Sequence, residues 1–181
     1  MFVGLIGGAA VTWPLAARAQ QARMARIGIL LSANPEPFWS LFLEGMRGLG
    51  YSEGRTVQCE IRRAEGNPTL LPGFAEELVR LKVDVIVPYR TPSVAAAQHA
   101  TRDIPIVMAG AGDPVGQGFI ASLAQPGGNI TGISGTTAEL GPKTLELVRD
   151  IVIPSVRRMA VLANAHDPFT KSIRGTVAEG R

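Results

Sequence analysis

Three short stretches of this 181-residue chain carry the residue types that bind or react. The first is Gly110-Ala111-Gly112-Asp113-Pro114-Val115, a glycine-rich turn of the sort that cradles phosphates. Val115 stands where a dinucleotide fingerprint needs its third glycine, and Pro114 disrupts the helix opening that should follow. No Gly-Lys-Ser/Thr sequence exists, so there is no P-loop. Gly132-Ile133-Ser134-Gly135 resembles part of a nucleophile elbow, but Thr136 replaces its final glycine. Neither His99 nor His166 has a second His or a Cys nearby, which argues against a metal site. Asp113 and Asp167 could act as acid and base across a cleft. Both precede prolines, however, where turn-forming aspartates are ordinary, and no nucleophile accompanies them. The reading is therefore that the chain is not an enzyme and holds no cofactor, with a small α/β enzyme kept as an alternative.

The second stretch is Tyr89-Arg90-Thr91-Pro92-Ser93. Thr91 reads as an N-cap and Pro92 as the first helical residue, so the sequence opens a helix. Backbone N–H groups of that first turn, with the hydroxyls of Thr91 and Ser93, suit an anion such as a carboxylate. Plain helix capping accounts for the same residues equally well. Tyr89 and Arg90 would add a flat surface and a countercharge, unless Tyr89 packs on the sheet rim. The third stretch, Asn164 to Pro168, offers a donor-acceptor at Asn164 and an acceptor at Asp167, as for an amine.

These stretches need elements to position them. Ile27-Gly28-Ile29-Leu30-Leu31 is continuous in its apolarity, the mark of a buried parallel strand. Trp39, Phe42, Met46 and Leu49 then recur at helical spacing as far as Gly50. Thr56 to Arg62 alternates, which predicts a strand near a sheet edge. Asn67-Pro68 starts a helix whose face is Leu71, Phe74, Leu78 and Leu81. Val83–Val87, Ile104–Met108, Ile130–Ser134 and Met159–Ala163 read as further strands. Pro92 to Thr101, a short helix around Gly116–Leu123, and Leu140 to Ile151 read as helices between them. Strands alternating with helices imply βαβ units and an α/β fold on a parallel sheet. Ligands of such sheets sit beyond the carboxyl ends of the strands. That rule adds Ser32 to Tyr89, Thr91, Ser93, Asp113, Asn164 and Asp167 as candidate ligand-binding residues.

Composition narrows the classes. Hydrophobic residues make up 46% and charged ones 18%, which excludes a disordered chain. The net charge is only +3, and basic residues never run beyond the pairs Arg62-Arg63 and Arg157-Arg158. Nucleic acid is therefore not an expected partner. The single Cys59 excludes an internal disulfide framework. Residues Phe2 to Val11 form an apolar, Gly/Ala-rich run, followed by Trp13-Pro14 and Ala17-Arg18-Ala19. This reads as a signal peptide over residues 1–19, although no basic residue precedes the apolar run. A transmembrane helix would need about 20 apolar residues.

The chain resembles the ABC transporter substrate-binding proteins of an uncharacterised type abundant in rhizobia and related proteobacteria. The stretches that carry the resemblance are Gly7-Gly8-Ala9-Ala10 through Gln21, Gly50-Tyr51 through Arg55, and Ala64-Glu65-Gly66. They continue with Ile104-Pro105-Ile106-Val107, Gly112-Asp113-Pro114-Val115, Pro126-Gly127-Gly128-Asn129-Ile130-Thr131-Gly132, and Thr137 to Gly141 with Lys143 and Leu145-Glu146-Leu147. The resemblance implies a two-lobed periplasmic binding fold of type I, closing on a small solute for delivery to a membrane ABC permease. It implies lobe one over residues 20–135 and the start of a truncated lobe two over 136–181. Ser32, Tyr89, Thr91, Ser93 and Asp113 would line the first lobe, and Asn164 and Asp167 the second. An amino acid is the implied solute, and the periplasm the implied compartment. A sensor domain of the same fold in signalling is the nearest alternative. Relatives differ in having twin arginines before the Gly-Gly-Ala run, Gly in place of Tyr89-Arg90, and a whole second lobe. A solute held from one lobe loses most of its burial, so weak binding or none is the expectation for this chain.

Overall fold

The computed structural model describes residues 24–135 continuously and residues 143–170 in part. The expected signal peptide and the tail after Thr170 lie outside the described residues. So does most of the strand expected over Met159–Ala163.

Five parallel strands form one sheet: β1 (Ala25–Leu31), β2 (Val57–Arg63), β3 (Val85–Tyr89), β4 (Ile106–Gly112) and β5 (Ile130–Gly135). Their spatial order is β2-β1-β3-β4-β5. Helix α1 (Phe38–Gly48) joins β1 to β2, α2 (Leu71–Arg80) joins β2 to β3, and α3 (Thr91–Ala100) joins β3 to β4. The α/β architecture expected from the alternation of apolar runs is thus present.

Each strand sends alternate residues to opposite faces, and the two faces have separate cores. Leu30, Ile86, Ile106, Met108 and Ile130 meet Leu71, Ala75 and Leu78 of α2 and Val94, Ala96 and Ala97 of α3. Ile27, Ile29, Leu31, Val57 and Val87 meet Phe38, Trp39, Phe42 and Met46 of α1 on the other side. Helix α2 packs closely because position 28 of β1 is glycine. A Cβ there would lie 3.1 Å from Val83 and 3.2 Å from Leu78.

Strand β2 is an edge, as its alternation predicts. Val57 is buried in the α1 core, with Cys59 and Ile61 packed partly against it. Two of its charged residues are paired: Glu60 with Arg26 at 3.0 Å, and Arg62 with Glu77 at 2.7 Å. Charges on an edge also discourage pairing with another chain.

Some details differ from the sequence reading. Strands β3 and β4 each begin two residues later than expected. Val83 is buried but comes before the ladder, donating its N–H to Leu78 O instead. Thr91 is not the N-cap of α3; that position is Arg90, at φ 69° and ψ 161°. Turns replace the helix expected around Gly116–Leu123. Gly118 adopts φ +70°, and the Asp113 carboxylate accepts the Gly116 N–H, so a left-handed residue and a side-chain bond interrupt any helical run.

Between β4 and β5 the register shifts at Gly110, which has φ +75°. The extra residue restores Ala111 to the α2/α3 core beside Met108. Opposite Met108, Gly132 has φ +134°, and a Cβ there would come within 2.2 Å of the Met108 carbonyl oxygen. Gly132→Ala is expected to cost about 3 kcal/mol from backbone strain and crowding together. Gly128→Ala, with nothing within 4 Å of its added carbon, should stay within about 0.5 kcal/mol of the original. Urea unfolding midpoints measured on both variants check the contrast.

Candidate functional site

The chain leaves β1 for β2 on one side and returns to β3 on the other, so the connections diverge above the carboxyl ends of β1 and β3. Such a divergence opens a crevice in parallel sheets. Leu31 pairs with Arg63 on one side and with Tyr89 on the other, so three loops start level with one another. Backbone bonds then hold two of those loops together. Ala64 N–H donates to Leu31 O at 2.8 Å, and Gly66 N–H donates to Ser32 O at 2.9 Å. The Ser32 hydroxyl donates to Tyr89 O at 3.4 Å.

Above these loop starts lies a cavity of about 120 Å³, lined by Ser32, Ala33, Gly66, Pro68, Arg90, Pro92, Asn164 and Asp167. Three of the seven candidate residues therefore share one cavity, two of them contributed from more than 130 positions further along the chain. The late segment is held in place by its own turn and by one tether. Asp167 N–H donates to Asn164 O at 3.1 Å, Thr170 N–H donates to Asp167 O at 2.9 Å, and the Thr170 hydroxyl donates to Asn164 O. Gln117 Nε2, in the loop after β4, donates to Pro168 O at 3.0 Å.

The other four candidates do not line the cavity. Tyr89 turns to the α1 face, where its ring stacks on Phe38 with centroids 4.6 Å apart and 10° between planes. Packing on the sheet rim, the alternative open for Tyr89, is what occurs. Thr91 is buried, and its Oγ1 accepts the Gly112 N–H at 3.0 Å. It thereby locks the first turn of α3 to the end of β4. Ser93 is fully buried, and its Oγ has no hydrogen-bond partner among the described residues. Asp113, at φ +43°, shapes the turn after β4 through its bond to Gly116.

Sequence reasoning named Arg90 only as a possible countercharge, and it did not find Gly66 or Pro68 as walls. The Gly66 bond to Ser32 O carries them into place, and nothing in their spacing announces a contact across strands. Among the described residues, no group of three His, Cys, Asp or Glu side chains could hold a metal ion.

A larger cavity, about 250 Å³, lies elsewhere, lined by Phe42, Leu43, Met46, Arg47, Tyr51, Ser52, Glu53, Val57 and Cys59. It opens near the start of β2, opposite the crevice end of the sheet. Burial, followed by the nearby Glu53 carboxylate, pushes the Cys59 thiol above its ordinary pKa. Both causes oppose the thiolate, so Cys59 is not activated for nucleophilic chemistry.

A family model described as ABC transporter substrate binding protein matches residues 39–176. A curated relative, the "Tyrosine-binding protein" of Clostridioides difficile (strain R20291), is 34% identical over 130 residues, covering 72% of this chain and 37% of that protein. Among solved structures, a conserved domain protein from Vibrio cholerae is 28% identical with a TM-score of 0.78, covering 87% of this chain and 53% of that one. A second, an ABC domain from Streptococcus pneumonia in complex with L-Trp, is 27% identical with a TM-score of 0.70, covering 86% and 52%. The chain thus spans about half the length of these solved relatives. The family is one of substrate-binding proteins, and the Clostridioides difficile relative and the Streptococcus structure are named for a tyrosine-binding role and for a complex with L-Trp.

The two buried hydroxyls of α3 should respond differently to removal. Thr91→Val strips the acceptor from a buried Gly112 N–H and is expected to cost about 1–3 kcal/mol. Ser93→Ala removes a hydroxyl that satisfies nothing within the described residues, so stability should stay level or rise by a few tenths of a kcal/mol. Guanidinium unfolding curves of the two variants beside the parent check this.

Proposed function

The chain belongs to the ABC transporter substrate-binding protein family, and we propose that it serves as the solute receptor of an importer for amino acids. In this reading residues 1–19 are an export leader, residues 20–135 form lobe one, and residues 136–181 begin lobe two. The receptor works in the periplasm and hands its solute to a membrane permease.

The observation that carries the proposal is the meeting of Ser32 with Asn164 and Asp167 around one cavity at the carboxyl ends of the strands. A solute seated there touches the first lobe and the beginning of the second together. Contact with both is what lets a ligand bias an open–closed equilibrium, since only differential affinity for the closed form shifts the population. Binding is the whole mechanism, and no bond is made or broken.

The polar groups suit a zwitterion. The Asp167 carboxylate accepts from an ammonium, Ser32 and Asn164 donate or accept, and the first turn of α3 presents backbone N–H groups beside Pro92. Thr91, within that turn, holds it through its bond to the Gly112 N–H. The cavity is well below the roughly 300–1,000 Å³ of sites for drug-sized ligands, in keeping with a solute no larger than an amino acid. The names of two relatives, one tyrosine-binding and one solved with L-Trp, support an amino acid as the ligand class.

Calorimetric or ligand-observed NMR titration with the common amino acids tests the reading. Dissociation constants of about 1 mM are expected, as for a solute gripped over a small area. Asp167→Asn should weaken the preferred amino acid about tenfold by removing the ammonium's countercharge. The absence of saturable binding for every amino acid would refute the proposal.

A further inference from the structure

Arg90, an exposed residue between the end of β3 and the first residue of α3, lines the cavity. Its backbone adopts φ 69°, in the region that favours glycine. A long side chain held at such an angle costs of order 1–3 kcal/mol and is characteristic of ligand-contacting positions. Its guanidinium lies 5.2 Å from the centroid of the Tyr89 ring. Tyr89 in turn stacks on Phe38, which stacks on Phe42 at 5.8 Å. The cation therefore lies over the end of a column of rings. No carboxylate or other hydrogen-bond acceptor meets this guanidinium among the described residues, whereas Arg26, Arg62, Arg80 and Arg149 all have carboxylate partners. Its planar fork of donors is left to solvent and to whatever enters the cavity that Arg90 lines.

The remaining lining is equally telling. Among the described residues, the rest of it (Ser32, Ala33, Gly66, Pro68, Pro92, Asn164 and Asp167) includes no aromatic residue and no large aliphatic one. The nearby rings, Tyr89 and Phe38, belong to the core on the α1 face.

We infer that Arg90 is a specificity-determining residue that selects an acidic amino acid, one with a second carboxylate, in place of a neutral aromatic one. The inference rests on the amino-acid reading above and sharpens it. The ligand's two carboxylates and one ammonium match three distinct features: the Arg90 fork, the first turn of α3, and the Asp167 carboxylate. Arg90 receives the side-chain carboxylate in a bidentate pair, the geometry in which a guanidinium discriminates best against a carboxamide of the same shape.

The test compares L-aspartate and L-glutamate with L-asparagine, L-glutamine, L-tryptophan and L-tyrosine, titrated into the full chain and into Arg90→Gln and Arg90→Gly. The parent should bind each acid at least about tenfold more tightly than its amide, a difference of about 1.4 kcal/mol. In both variants that ratio should fall to about one. Arg90→Gly should also raise the urea midpoint, because glycine relieves the strain at φ 69°. Gained stability with lost acid preference separates a ligand role from a structural one. Tighter binding of tryptophan or tyrosine than of the acids, or an acid-to-amide ratio that survives in Arg90→Gln, overturns this inference and leaves the amino-acid reading standing. No binding of any of the six also overturns this inference, and no binding of any common amino acid overturns both.

Discussion

Strand β1 is hydrogen-bonded on both sides and covered on both faces, and the other elements take their places from it. Ile29, Leu30 and Leu31 are completely buried, with Leu30 in one core and Ile29 and Leu31 in the other. A strand so placed has little freedom in register, because a one-residue slip would exchange the two sets of side chains between cores of different shape. Its register with β2 and β3 then decides which residues emerge together at the crevice. Ser32, Ala64 and Arg90 follow directly from Leu31 and its two partners, Arg63 and Tyr89.

The crevice is supported by groups that never line it. Thr91 spends its hydroxyl on the Gly112 N–H, which ties the start of α3 to the end of β4. The bulge at Gly110 makes that bond possible by resetting which residues point inward over the last turn of β4. Tyr89 is used on the opposite face, and its ring becomes the floor for the Arg90 guanidinium. The residues with the most conspicuous chemistry in the sequence are thus largely structural. Much of the cavity wall is made of small residues and prolines that carry no chemical signal.

Helix α3 shows what could be read in advance and what could not. Its alanines allow close approach to the sheet, and Thr91-Pro92-Ser93 announces its start within a single residue. Capping chemistry is local, so the sequence shows it. Which hydroxyl caps, which bonds to another strand and which is left without a partner depends on groups some 20 residues away. The loop after β4 failed as a helix for a reason that was local but easy to underrate. Gly116 and Gly118 flank Gln117 just beyond Asp113-Pro114, and side-chain bonding together with positive φ overrides the intervening apolar spacing.

The sequence by itself determined the class of fold, the succession of strands and helices from β1 to β4, the edge character of β2 and the family. Each of these depends on periodicity or on motifs that neighbouring residues carry together. Tertiary structure alone decided that Ser32, Arg90, Asn164 and Asp167 converge while Tyr89, Thr91, Ser93 and Asp113 turn to other tasks. A side chain's direction at a strand end depends on register, on a bulge and on the packing of a helix from the opposite face. Those are long-range constraints, and spacing along the chain does not encode them in any one segment.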